Sequence, residues 1–168
     1  MKLRPATLAD IPLLRHWDRQ PHVVYATGSN DPYDWDRELP RDIDWREFLI
    51  AEIEEKPIGL VVLIDPAREE TRYWGDVEPN LRGLDIWIGE EADTGKGYGG
   101  QMMRLAIDHC FADPSVTAII IDPLETNTAA IRFYERLGFR FTGRQQLGGD
   151  DIHVMRLDRT AWTGTAAA

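Results

Sequence analysis

From Phe48 to Asp65 the chain reads FLIAEIEEKPIGLVVLID, two apolar runs around the polar turn EEKP, which predicts a β-hairpin. LRGLDIWIG (81–89) alternates: Leu84, Ile86 and Ile88 fall on one side, Gly83, Asp85 and Trp87 on the other. That predicts a strand carrying one ionisable residue. TAIIID (117–122) predicts a wholly apolar strand. Met103, Ala106, Ile107 and Cys110 recur at helical spacing and predict a helix over about 99–111. TNTAAIRFYERLGF (126–139) predicts another, ended by Gly138. FRFTGRQQL and DDIHVMRLD close the chain as a second antiparallel hairpin.

Upstream, Leu3–Pro5 reads as a short strand. Thr7 and Asp10 supply the N-cap and a variant capping box for a helix over about 8–19. Residues 20–44, rich in Pro, Asp, Gly and Tyr, read as mostly loop with one helical turn. AREETRYWGDVEPN (67–80) is a long polar connection of a length that is often functional. The order of elements makes a mixed α/β fold in a single domain over 1–160, with 161–168 a flexible tail.

Composition changes this picture little. The chain has 168 residues, 43% hydrophobic and 29% charged, as expected of one soluble domain. No apolar run reaches the roughly 20 residues of a membrane span. MKLRPATLAD lacks the apolar stretch of a secretory signal, so a cytoplasmic location is expected. Cys110 stands alone, and His16, His22, His109 and His153 show no metal-ligand spacing; no metal is assigned. The 29 Asp and Glu against 19 Lys and Arg give a net charge of −10. That argues against a nucleic-acid partner and suits a cationic small molecule or simple solubility. Monomer and homodimer both stay open.

The chemistry begins at DTGKGYGG (93–100), four glycines and a lysine where a strand gives way to a helix. Such a layout presents backbone amides to an anion. GKGYGG also fits the dinucleotide pattern G-x-G-x-x-G, with Asp122 further on. However, EEADT separates it from Gly89, and a dinucleotide turn starts directly after its strand. The nucleotide-hydrolase phosphate loop fails because Lys96 is followed by glycine, not Ser or Thr.

Thr94-Gly-Lys-Gly-Tyr-Gly99 resembles the acyl-coenzyme A loop Arg/Gln-x-x-Gly-x-Gly/Ala of the GNAT acetyltransferases, with Thr at the usual Arg or Gln position. The run Asn127-Thr-Ala-Ala-Ile-Arg-Phe-Tyr-Glu-Arg-Leu-Gly-Phe139, about 30 residues on, resembles the second hallmark of that family. RGLD at 82–85, Asp113-Pro114, Asp122-Pro123 and Glu78-Pro79 are similar to the aminoglycoside 6'-N-acetyltransferases. The likeness is strongest over 70–157 and essentially absent over 26–44. It extends to enzymes that acetylate hydroxylysine.

The resemblance implies a largely antiparallel sheet of about seven strands flanked by about four helices, and acetyl-CoA as acyl donor. It assigns the donor to Ile88, Gly89, Gly95, Lys96, Gly97, Tyr98, Gly99, Gly100 and Asn127. Asp85 aligns with the general base and Tyr134 with the acid that protonates the departing thiolate. Asp122, Glu70, Trp74 and Asp150 (or Asp151) fall near the acceptor mouth.

The chemistry asks for such groups on its own account. An aliphatic ammonium, with a pKa of about 10.4, must lose a proton before it attacks a thioester, and a nearby carboxylate can take it. A buried Asp85 is costly without a partner; pairing with Arg82 or solvent is the plain alternative. The leading reading is transfer of acetyl to an aminoglycoside 6'-amine. Its rivals are transfer to a siderophore hydroxylysine, a polyamine or a peptide N-terminus, a non-catalytic acyl-CoA sensor, and, distantly, a NAD-binding module.

Overall fold

The computed structural model describes residues 1–28, 32–147 and 149–164. Seven strands form one sheet in the order β1 (Lys2–Pro5), β2 (Arg46–Ile53), β3 (Lys56–Ile64), β4 (Leu81–Ile88), β5 (Ala118–Ile121), β7 (Asp150–Asp158) and β6 (Arg140–Leu147). Neighbours are antiparallel except β4 and β5, which run parallel. Five helices accompany them: α1 (Ile11–Trp17), α2 (Pro21–Thr27), α3 (Trp35–Glu38), α4 (Tyr98–Ala112) and α5 (Thr128–Arg136). No helix among the described residues is long and apolar enough to cross a membrane.

Strand alternation sorts the core into faces. Val61, Leu63 and Leu84 turn toward Met102, Met103, Ala106 and Ile107 of α4. Leu60 and Val62 turn the other way, toward Leu14, Trp17 and Trp35. In register, Val62 lies opposite Asp85 and Leu60 opposite Trp87, so Asp85 projects on the α1–α3 face. Asp122 follows Ala118 and Ile120 onto that same face by period two.

Two expectations change. The helix over 8–19 is a 3₁₀ turn, Leu8–Asp10, followed by α1, with Pro12 in the first turn of α1. Asp10 closes the start: it accepts from the Thr7 N–H at 2.7 Å and from Arg4 at 2.7 and 2.8 Å. Segment 20–44 holds two helices, α2 and α3, where one turn was expected. Pro21 starts α2, and buried Trp35 anchors α3 through an indole bond to Asp18 at 2.5 Å. Past residue 160, Trp162 donates to Asp108 of α4 at 2.7 Å and packs on the core. Residues 165–168 of the expected tail lie outside the described residues.

β4 and β5 pair only from Leu81↔Ala118 to Gly83↔Ile120, after which they part. Beside the parting, α1 presses on the end of β4. A Cβ on Gly89 would lie 2.0–2.3 Å from the Trp17 ring. Gly89 is therefore glycine because an indole occupies its side-chain position. Gly89→Ala is expected to destabilise the protein by about 3 kcal/mol through overpacking, measured as the shift of the urea unfolding midpoint; wild-type stability would refute this packing account.

Candidate active site

A cleft of about 640 Å³ opens where β4 and β5 part, and Asp85, Asp122 and Tyr134 all line it. Tyr33, Tyr73, Trp74 and Trp87 supply much of its aromatic wall. Arg82, the neighbour that offered Asp85 an ordinary ion pair, turns instead to Asp65 (3.7 Å) and Asp113 (3.3 Å). Burial raises the Asp85 carboxyl to about 6. Burial, then the charge of Asp85, pushes Asp122 well above the usual carboxylate range. The Tyr73 hydroxyl, donating to Asp122 Oδ2 at 2.8 Å, works against that rise. Two desolvated carboxyls that feel each other resist joint ionisation, and a bound ammonium would relieve both penalties.

Tyr134 comes from α5 and packs edge-on against Phe139, ring centroids 5.9 Å apart. Burial, then the charges of Asp85 and Asp122, raises its hydroxyl above the ordinary tyrosine value, so it stays protonated at neutral pH. Tyr33 is raised in the same way, by burial and then by Asp85.

The outer cleft is held by ion pairs. Glu38 accepts from Arg37, Arg41 and Arg46 at 2.7, 2.9 and 2.6 Å. Burial opposes its ionisation, but the arginines prevail and bring it to about 2. Arg41 also reaches Glu70 at 2.6 Å, tying the 67–80 connection to the segment after α3.

On the far side of β4 lies the glycine stretch. Gly95 (φ +72°) and Gly97 (φ +80°) adopt the left-handed backbone that disfavours side chains, and Gly97 is the N-cap of α4. A Cβ on Gly95, Gly97 or Gly100 would meet nothing within 4 Å, so packing does not demand these glycines. They leave the first-turn amides of α4 uncovered, a seat for an anion. Buried Asp93 draws in Lys56 at 2.7 Å and Lys96 at 2.8 Å. Thr94 closes its own turn, its hydroxyl donating to the Glu91 carbonyl at 2.7 Å.

Asp85, Asp122, Tyr134, Glu70, Trp74 and Asn127, expected from the sequence, converge on this one cleft. Trp74 also packs under its own loop with Leu81 and Ile120. Three of the expected residues also have local roles or positions within the fold. Asn127 Oδ1 accepts from the Ala130 N–H at 3.2 Å, so its side chain caps α5. The Gly89 N–H donates to the Ile58 carbonyl at 2.9 Å and is engaged within the sheet. Successive residues alternate, so it is Ile88 whose N–H and C=O face the parting. Asp150 stands at the start of β7 with its carboxylate against Gly28, beside Leu124, at the edge of the cleft that Thr27 and Leu124 line. Tyr33 in the cleft wall and the pairing of Lys56 with Asp93 were not expected from the sequence. Tyr33 lies in an aperiodic segment, and Lys56 meets Asp93 only through the sheet.

Residues 6–147 match the family model described as "Acetyltransferase (GNAT) domain". The chain is 29% identical over 149 residues, 84% of its length and 74% of the relative's, to the aminoglycoside N(6')-acetyltransferase type 1 of Klebsiella pneumoniae. It is 29% identical over 170 aligned positions, 93% of its length and 72% of the relative's, to the lysine N-acyltransferase MbtK of Mycolicibacterium paratuberculosis. A solved structure of the aminoglycoside acetyltransferase AAC(6')-Ib in complex with ribostamycin and coenzyme A superposes with a TM-score of 0.88. It is 27% identical and covers 99% of this chain and 98% of that one.

The raised carboxyls carry a stability consequence. A carboxyl whose folded-state pKa lies above its unfolded value binds more protons when folded, so stability falls as pH rises. Asp122→Asn removes that penalty and keeps an acceptor for Tyr73. Its Tm at pH 7.5 is expected to rise by about 2–4 °C, with the gain vanishing near pH 4, where Asp122 is already protonated. Calorimetric scans at the two pH values read this directly; a lower Tm at pH 7.5 would refute it.

Proposed function

The chain belongs to the GNAT acetyltransferase family, and on that premise we propose that it transfers the acetyl group of acetyl-CoA to a primary amine of a cationic small molecule, an aminoglycoside 6'-amine. The observation that carries this reading is the pair of buried carboxyls, Asp85 and Asp122, facing a cleft where β4 and β5 part. An incoming ammonium supplies the positive charge the pair lacks. The Klebsiella relative and the AAC(6')-Ib neighbour, by their names, support an aminoglycoside as acceptor.

The glycine loop fits a pyrophosphate: it combines free α4 amides, open space at Gly95, Gly97 and Gly100, and Lys96 held in place by Asp93. Acetyl-CoA brings the thioester. The Ile88 N–H, on the open edge of β4, is the donor for its carbonyl oxygen, which gains negative charge as the amine adds. Asp85 receives a proton from the bound ammonium, which frees the lone pair for attack on the carbonyl carbon. The C–N bond forms and the C–S bond breaks. Tyr134 gives its proton to the departing thiolate and regains one from the nitrogen, so the net release is one proton. Asp122 and Glu70 hold further ammonium groups of the acceptor by charge-assisted hydrogen bonds.

The MbtK relative favours a second acceptor, a lysine-type ω-amine, on the same chemistry. A thiol-release assay with acetyl-CoA and a panel of kanamycin, ribostamycin, spermidine and lysine separates the two. Turnover of the aminoglycosides is expected, and turnover of lysine alone would transfer the assignment to the second reading.

The pH profile tests the base. Asp85 must be ionised to work, so kcat/KM is expected to fall as pH drops through about 6. Asp85→Asn is expected to lower kcat by about 10²–10⁴-fold and to abolish this limb, with acetyl-CoA affinity little changed. A variant retaining wild-type turnover from pH 6 to 9 would exclude Asp85 as base. Tyr134→Phe is expected to lower kcat at least tenfold with the acid limb intact, read in the same assay.

A further inference from the structure

Asp18 is the C-cap of α1 and lines the acceptor cleft. Its Oδ2 accepts the indole N–H of buried Trp35 at 2.5 Å. The packed ring fixes the carboxyl in one orientation. The other oxygen bonds to none of the described residues. Nor is it sealed inside the protein, as the orphaned His22 Nδ1, Arg46 Nε and Trp87 Nε1 are. A carboxylate offers about four lone-pair sites, so most of the accepting capacity of Asp18 stays open to the cleft.

No lysine, arginine or histidine forms an ion pair with Asp18 among the described residues; Arg19 acts on it through charge alone. The arginines lining the same cleft are committed elsewhere. Arg37, Arg41 and Arg46 bond to Glu38, and Arg41 also bonds to Glu70. Glu70 must share a ligand with its arginine, whereas Asp18 has no cation to displace. Burial raises the Asp18 carboxyl, and the Trp35 bond and Arg19 hold that rise in check.

Asp18 also stands apart from the inner carboxyls. The charge of Asp85 reaches Asp122, Tyr134 and Tyr33, but Asp18 responds only to its own burial, Trp35 and Arg19. One ammonium seated at the Asp85–Asp122 pair therefore leaves Asp18 unmatched. Tyr33 links the two places: its ring centroid lies 5.1 Å from that of Trp35, and its hydroxyl feels Asp85. The wall thus runs from one carboxyl across aromatic rings to the carboxyl pair. At about 640 Å³ the cleft has room for a molecule that reaches both.

We propose that Asp18 binds a second ammonium of the acceptor, apart from the amine that is acetylated, so that the cleft selects molecules with two separated cationic centres over monoamines. The inference rests on the acetyl-transfer reading above and extends it. The reacting amine goes to Asp85, and a distal one makes a charge-assisted hydrogen bond to Asp18.

The test uses Asp18→Asn, which removes the charge but keeps an oxygen for the Trp35 indole. Its urea unfolding midpoint is expected to stay near that of the wild type. Thiol release from acetyl-CoA is followed with two matched acceptors, kanamycin and the isolated monoamino sugar that carries its 6'-amine. Asp18→Asn is expected to raise KM for kanamycin about tenfold with kcat within about twofold, and to leave KM for the monoamine within about twofold. Calorimetric titration of kanamycin into the CoA-bound protein is expected to show the same loss of affinity without turnover. An equal rise in KM for both acceptors would assign Asp18 a structural or general electrostatic role. An unchanged KM and Kd for kanamycin would make it a solvated surface carboxylate; either result overturns the proposal. Wild-type turnover of neither acceptor removes the acceptor reading and this inference with it. Wild-type turnover that Asp18→Asn matches on both acceptors removes the inference alone.

Discussion

The parallel ladder between β4 and β5 holds for three residue pairs and stops where β5 runs into Asp122 and Pro123. Proline has no N–H to extend a ladder. The Pro123 carbonyl is taken by the His153 N–H of β7 at 2.8 Å, and Glu125 then bonds to Asp151, so the chain follows β7 away from β4. The remainder of β4 is left with an open edge inside the protein. Backbone groups on such an edge need partners, and this need gives the molecule its two working surfaces. Ile88 meets His22 there, and the space between the strands becomes the cleft.

Around that opening the charges divide by depth. Deep in the cleft, Asp85 and Asp122 carry no arginine among the described residues, and their carboxyls are raised. At the rim, Glu38 and Glu70 are matched by Arg37, Arg41 and Arg46, and Glu38 is held low. The same residue type thus serves two purposes. Rim carboxylates with guanidinium partners fasten α3 and the 67–80 connection to the sheet. Inner carboxyls are left without a cation, which weakens the free fold and suits it to receive one. This division gives the net charge of −10 a local meaning, since only a few of the 29 acidic residues face the reacting centre.

The donor side follows a similar logic with backbone in place of side chains. Gly95 and Gly97 hold a left-handed backbone that brings the chain into α4 with its first amides bare. Asp93 keeps Lys96 close to the loop, and Lys56 arrives from the β2–β3 hairpin. Thr94, the one departure from the expected loop pattern, bonds to its own turn. In the proposed donor site, amides and lysines stand where an arginine or glutamine side chain was expected.

Much of this was legible from local pattern. The alternation in 81–89 put Asp85 on the face opposite Leu84, Ile86 and Ile88, and the glycine stretch and the Asn127–Phe139 run pointed to the loop and to Tyr134 that the proposed mechanism uses. These signals are local because strand and helix periodicity and left-handed glycine positions are set within a few residues. Contacts between distant segments were not legible. Gly89 looked like a ligand position but is bare because Trp17, 72 positions earlier, fills its side-chain space. Asn127, expected at the donor, also caps α5, a role its motif did not reveal. Segment 20–44 shows no periodicity, since its two short helices are held by Trp35, Asp18 and the sheet rather than by their own pattern, and so Tyr33 stayed hidden. The sequence by itself determined the strands, the two helices α4 and α5 and the chemical inventory. Only the tertiary structure decided which carboxyls would lack a cation and which backbone edge would stay open, because both depend on what the rest of the chain brings alongside.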